Sequence, residues 1–456
     1  MVYILLDNWP TIRYNTGRYT NCTTKNHRYG KICRIKYHTK EQTTMIDPRS
    51  WLGLAAAGTQ KSQKSLITAP LTDGKTSTAW HTIPTKHGRR ALLVALDAGN
   101  GAAKIVVPQA QADQSQPPQL HASRIDAVYS IARAANSEDG HTTYQIDGSP
   151  IIIGNPHLFG VTPLPTGNTV DRFGDPMYRQ FVLAAIVRAL AEAGHSPEQA
   201  DRHPIYIYLA YAAPSDEFGT GGKVSQATAE ALATIRPVID GRAETVKVMR
   251  MSGGKAETWP IHIVDLRALP QSQGIYNAIT YDIERRAVLD VSRMLTLDIG
   301  FGHTQLTQTT INEQGKAVHQ VQQIGEGGVE IIATELIKQA GAAQLNNADA
   351  QVIIATGKDA DKRDRSAIRD RAIEIAGPKM LQAADKVALQ TRSGHLVVTG
   401  GGAAIPALRA MLADRLRHRD QEITTIVPAE VAGYATAIGI YAYYYAMLRT
   451  LKPWQS

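Results

Sequence analysis

A mixed α/β architecture, with two related halves flanking a cleft, is the fold class the sequence predicts, and three observations carry it. The pattern Leu96-Asp97-Ala98-Gly99-Asn100-Gly101 returns much later as Leu297-Asp298-Ile299-Gly300-Phe301-Gly302. Each copy follows an apolar run and precedes another β-prone segment, so each reads as strand, tight glycine turn, strand. Elsewhere strand patterns alternate with helical ones, the signature of α/β layering.

At 456 residues the chain is long enough for two or three domains with sizeable cores. Its hydrophobic fraction of 43% is that of an ordinary globular protein. The net charge of +8 is unevenly spread. Residues 1–90 hold 15 Lys+Arg against 4 Asp+Glu, a net of +11, and the remainder carries −3. Both cysteines, Cys22 and Cys33, lie in that first segment. The body therefore has no disulfide framework or thiolate metal site, and a reducing cytoplasm is expected. No secretory signal is visible in the first residues. The uncharged run 431–448 has about the minimum length to cross a bilayer. Gly433, Thr436, Gly439 and its tyrosines suit a buried helix of a soluble protein better.

Taken in order, residues 1–90 are polar, basic and without a sustained period, and read as a disordered extension. The segment is either a solvated tail or leader, with Met45 an internal candidate start, or an arm that contacts DNA or a partner. The ordered body is expected to begin near Ala91. After the first hairpin, residues 109–120 form a Gln/Pro-rich loop, and residues 144–153 form a hairpin around Asp147-Gly148. Residues 178–193 have helical spacing closed by Gly194. Strands follow at 204–212, 246–251 and 261–266, then a helix over 274–291. Beyond the second Asp-Gly hairpin come a strand (318–324) and helices at 329–340, 367–375 and 379–389. Strand 396–399 runs into Gly400-Gly401-Gly402. Helix 407–416, strand 423–427 and the apolar helix, with its packed tyrosines 441 and 443–445, finish the fold.

The chemistry lies in the three glycine-rich turns. Gly99 and Gly101 let main-chain N–H groups approach an anion. Asp97 sets a carboxylate at a strand end, where it suits a hydrated divalent cation. Lys104 adds a point charge for phosphate oxygens. Asp298, Gly300, Gly302 and the Thr304 hydroxyl repeat this in the second half. Two carboxylates facing one cleft repel unless a cation lies between them, which favours a magnesium-bound nucleoside triphosphate. Strand 397–399 ending in Gly400 to Gly402 lets a flat ring pack on bare backbone. The Walker A pattern fails at Gly222-Lys223, since Glu217 stands where its first glycine belongs. The dinucleotide fingerprint fails at Gly99-x-Gly101, where Lys104 replaces the third glycine. Fourteen histidines show no metal-ligand spacing.

The order of these motifs resembles the superfamily of actin, sugar kinases and heat-shock chaperone ATPases, as first phosphate, second phosphate and adenosine loops. Within it the chain is most similar to the ParM/StbA plasmid-segregation actins. Arg172-Phe173-Gly174-Asp175-Pro176, Ala213-Pro214-Ser215-Asp216-Glu217, Leu269-Pro270-Gln271-Ser272, Gly325-Glu326-Gly327-Gly328 and Ala432-Gly433-Tyr434 carry the narrower likeness. The resemblance implies an actin-like ATPase fold. Residues 1–90 would be an extension, 91–277 with helix 434–451 the first domain, and 278–433 the second. It implies ATP and Mg2+ as cofactors, with Asp97 and Asp298 holding the metal through water. Gly99, Asn100, Gly101, Lys104, Gly300, Phe301, Gly302, His303 and Thr304 would surround the phosphates. Gly325 and Glu326 would lie by the ribose and Gly400, Gly401 and Gly402 by the adenine. Gln271, with Asp97 and Asp298, would be catalytic, orienting the attacking water for slow turnover. Gln273 stands two residues away, and Gln271 has the alternative role of capping its helix.

The implied function is a cytoplasmic, Mg-dependent ATPase that self-associates into dynamic filaments for plasmid or DNA segregation through a DNA-bound adaptor. Neither membrane binding nor direct sequence-specific DNA binding by the body is expected. Rival readings are a small-molecule kinase or phosphatase, using Asp126, Asp147 or Asp171 as base, and a non-polymerising chaperone-like ATPase.

Overall fold

Strand β3 (Arg90–Ala98) is buried along nearly its whole length, as a central strand covered on both faces must be. It lies inside a 12-stranded sheet. The computed structural model describes residues 44–46, 82–99, 101–110, 120–131, 142–154, 164–165, 175–197, 203–218, 223–280, 293–313, 316–323, 327–341, 345–359, 361–390, 394–416 and 424–454.

Before β3 come β1 (Thr44–Ile46) and β2 (Thr82–Pro84). After it run β4 (Ala102–Pro108), β5 (Leu120–Asp126), β6 (Val128–Ile131), β7 (Thr143–Ile146), β8 (Ser149–Ile153) and β9 (Leu164–Pro165). Helix α1 (Pro176–Glu192) precedes β10 (Ile205–Ala213) and α2 (Gln226–Ile235). A small hairpin, β11 (Val238–Ile239) and β12 (Arg242–Ala243), leads to β13 (Thr245–Ser252), β14 (Lys255–Pro270) and α3 (Gln271–Thr280). The second sheet contains β15 (Arg293–Ile299), β16 (Thr304–Ile311), β17 (Ala317–Gln323), β18 (His395–Thr399) and β19 (Thr424–Ile426). Around it lie α4 (Glu330–Ala340), α5 (Asn347–Thr356), α6 (Ser366–Gln390), α7 (Pro406–Arg415) and α8 (Ala429–Ala432), and α9 (Ala435–Leu451) returns to the first sheet.

The repeat read in the sequence is a repeat of topology. The centre of the first sheet runs β5-β4-β3-β10-β14, and the second sheet runs β17-β16-β15-β18-β19. In each, the first three strands of the half pair antiparallel and the last two join parallel. The two Asp-Gly turns therefore join equivalent strands, β3 to β4 and β15 to β16. Each turn closes with the same backbone bond: Gly99 N–H donates to Ala102 O at 3.1 Å, and Gly300 N–H to His303 O at 2.9 Å.

Several expectations shift. The body begins slightly before Ala91, because β2 (Thr82–Pro84) pairs with β3. Helices expected at 367–375 and 379–389 are one helix, α6, running through Pro378. Ala372, Ile373, Ala376, Met380 and Leu381 keep one apolar stripe buried across the Gly377-Pro378 break, and that continuous burial outweighs the local helix-breaking signal. The strand at 261–266 is the middle of the sixteen-residue β14. The helix expected over 274–291 starts at Gln271, and residues 281–292 lie outside those described.

The uncharged C-terminal run is α9, packed against α3, β3 and β10. Tyr441, Tyr444 and Tyr445 are buried and Tyr443 packs against the core, as expected. The Tyr444 hydroxyl donates to Asp265 Oδ2 at 2.7 Å, which satisfies the polar end of a buried ring. Among the described residues no helix is long and apolar enough to cross a membrane.

Candidate functional site

The first loop grows from β3, whose last residues carry Asp97 inward at 5% exposure. Lys104, paired with Asp97 across the hairpin, brings its Nζ to 3.4 Å from Asp97 Oδ2. A Cβ on Gly99 would stand 2.6 Å from that Nζ, so a side chain here would press on the lysine. Asn100, expected in this loop, lies outside the described residues.

The second loop repeats the design with one electrostatic difference. Asp298 is half-buried at the end of β15, and its carboxyl is pushed up to about 6 by burial and then by the negative charge of Asp97. Lys104 opposes that rise. Asp298 thus senses the charge of Asp97, with Lys104 to offset it. A cation of double charge is the remedy such a pair calls for. Among the described residues no group of three or more His, Cys, Asp or Glu side chains is set to hold a metal. Two carboxylates fit an ion that keeps waters and takes its other ligands from phosphates, the habit of magnesium.

The two loops touch. A Cβ on Gly101 would lie 2.8 Å from Phe301 Cβ and 3.0 Å from Gln351 Oε1 of α5. Phe301 and Gly302 are half-buried and His303 is exposed at the loop tip. Thr304 is buried, and its hydroxyl donates to Gly327 O at 3.2 Å, so it braces the loop that leads to α4. Gly328 reaches the same place: its missing Cβ would fall 2.2 Å from Gly300 O. Val329 N–H and Glu330 N–H donate to Gly300 O and Phe301 O. Gly325 and Glu326 lie outside the described residues.

The third loop closes on the second. Gly400 has φ +93°, and a Cβ there would sit 2.3 Å from Asp298 Oδ1, so only glycine suits the position. Its N–H and the Thr399 hydroxyl both donate to Ala432 O at 3.0 Å, which ties the loop to α8. Gly402 packs on Ile299, whereas Gly401 is exposed with open space where a Cβ would project.

Gln271 opens α3, and its amide Nε2 donates to Asp97 Oδ1 at 3.0 Å. The helix is capped by another residue: Ser215, just after β10, accepts from Ser272 N–H at 3.1 Å. The capping role considered for Gln271 therefore belongs to Ser215, which sequence reading missed because the two segments are joined only through the fold. Gln273 turns away and meets His319. Of the other acids, Asp126 pairs with Arg124 and Asp147 with Arg179, while Asp171 lies outside the described residues.

No protein-family model matches the chain. No curated protein matches it either. Solved structures do. Ta0583, an archaeal actin homolog, is 15% identical, with 77% of this chain and 99% of that one covered at a TM-score of 0.51. A Bacillus thuringiensis ParM hybrid protein with ADP is 13% identical, covering 79% of this chain and 49% of that one at 0.54. A ParM from a 15-stranded filament of Clostridium botulinum is 14% identical, covering 78% and 99% at 0.51. The chain has the fold of the actin-like ATPases.

Proposed function

We propose that this chain of actin-like fold binds ATP with magnesium between its two Asp-Gly hairpins, hydrolyses it slowly, and assembles into filaments. One observation carries the reading: two topologically equivalent hairpins meet at Gly101 and Phe301, each with a strand-end aspartate, and Gly400 and Gln271 close on those aspartates. Asp97 and Asp298 would hold the hydrated metal, which when bound neutralises charge on the phosphates. Lys104 and the hairpin N–H groups would bind phosphate oxygens, Gly325 and Glu326 the ribose, and Gly401 the face of the base. Gln271 has an amide, so it orients water without taking its proton, and slow turnover follows.

Residues 91–277 with 434–451 would form one domain and 278–433 the other, so that nucleotide at their junction governs their relative position. Self-association is supported by the neighbouring ParM described as a filament. A cytoplasmic role in plasmid or DNA segregation through a DNA-bound adaptor is the cellular setting we propose. The kinase reading is less well supported, because Asp126 and Asp147 are each engaged by an arginine.

The purified chain should sediment with ATP and magnesium and stay in the supernatant without nucleotide; a chain that remains soluble with ATP at every concentration near physiological sinks the filament reading. Gln271→Ala should lower kcat about 100-fold with nucleotide affinity retained. An unchanged single-turnover rate would move water positioning to another residue.

A further inference from the structure

The first turn of α3 is held from two sides. Gln271 and Gln273 are two residues apart, and side chains at that spacing leave a helix in nearly opposite directions. Gln271 reaches Asp97 of the first sheet, at 3.0 Å. Gln273 Oε1 meets His319 Nε2 of β17, in the second sheet, also at 3.0 Å. His319 is fixed in turn by its own half of the molecule: Nδ1 lies 2.9 Å from the Thr309 hydroxyl, its cross-strand partner on β16. Its ring meets Tyr276, one turn further along α3, edge to face at 5.7 Å.

These partners fix the tautomer. Gln273 Oε1 can only accept, so Nε2 carries the hydrogen and Nδ1 accepts from Thr309. Burial pushes the imidazole down to about 4, which keeps it neutral in the cell. A neutral ring with both nitrogens used and one face packed is a rigid strut.

We infer that the Gln273–His319 contact is a positioning latch, through which the second sheet sets the orientation of the first turn of α3 and so the approach of Gln271 to Asp97. The inference rests on the nucleotide reading above and adds the route by which the two halves report their relative position to the water-orienting residue. Movement of β17 away from α3 breaks the latch and frees Gln271, so turnover is fastest only when both halves grip the helix. His319 touches no reacting group and acts through Gln273.

The test uses the full chain. His319→Phe keeps the ring against Tyr276 and removes both hydrogen bonds. It should lower kcat between about 10- and 100-fold, the cost of a misplaced group, with the Kd for ATP within about two-fold. Gln273→Ala should do the same, and the double variant should lose no more than either single one. His319→Gln, whose amide can donate to Gln273, should restore most of the rate, which a purely structural role does not require. Unaltered kcat in Gln273→Ala, additive losses, or loss of melting temperature without loss of kcat would overturn the latch. Imidazole 15N spectra of the unliganded protein should show the Nε2–H tautomer of His319, and the other tautomer would also overturn it. The unaltered chain is measured alongside: no turnover there rejects the nucleotide reading itself, whereas normal turnover with insensitive variants rejects the latch alone.

Discussion

Asp298→Asn is expected to abolish nucleotide turnover while making the ligand-free protein more stable at neutral pH. The two effects share one cause. In the folded chain the Asp298 carboxyl is raised to about 6 from 3.8, by burial first and by Asp97 second. Between those values the folded state holds a proton that the unfolded state has released, so stability falls as pH rises through that window. Above about pH 6 the full cost of the buried charge is present. Asparagine cannot ionise and escapes that cost. The melting temperature of the variant should exceed that of the unaltered protein at pH 8, and the gap should close as pH falls toward 4. Turnover should drop at least about 100-fold, the scale on which loss of one charge-stabilising group is felt. A variant that is less stable at pH 8, or that still turns over, contradicts the electrostatic account of the pair.

Gly439→Ala should destabilise the protein severely, although alanine favours a helix by about 1 kcal/mol over glycine. The reason is the crossing of α9 with α3. A Cβ on Gly439 would lie 1.7 Å from Gly274 O and 2.9 Å from Ala278 N, and one on Gly274 would lie 2.6 Å from Thr436 O. Both obstacles are backbone, which cannot rotate aside. Overpacking of a core ordinarily costs about 1–3 kcal/mol, and a clash this close belongs at the top of that range or above it, well beyond the propensity gain. Thermal unfolding of the variant should begin several degrees lower, and sedimentation should be lost with it. An unchanged melting curve would mean that the helices do not cross at these glycines.

The parts of the site that are legible in the sequence are those where chemistry and local backbone demand coincide. Asp97 and Asp298 stand out because a strand-end carboxylate followed by paired glycines is short, contiguous and repeated. Gly400 stands out because three glycines follow directly on a buried strand, a pattern that alone also suits a strand-to-helix turn and gains weight from the two Asp-Gly hairpins. The residues that escape are those whose role depends on distant partners. Ser215 caps a helix 57 positions away, and His319 meets Gln273 across 46. No periodicity links such pairs. Helix α6 escapes for a different reason: Gly377-Pro378 is a real local break signal, overridden by burial on a face that extends past it. Helices α2 and α5 are ten residues each, too short for a sustained helical period to announce them. The strands β1 and β2 are too short to carry a period, and their place on the sheet comes from pairing with β5 and β3.

Calorimetric titration of ATP into the full chain, with and without magnesium, tests most directly whether the two hairpins form one nucleotide site. One ATP should bind per chain, magnesium should tighten binding at least about ten-fold, and that tightening should vanish in Asp97→Asn and in Asp298→Asn alike. Binding that ignores magnesium, or that loses its magnesium dependence in one variant and keeps it in the other, would contradict a site shared by the two halves.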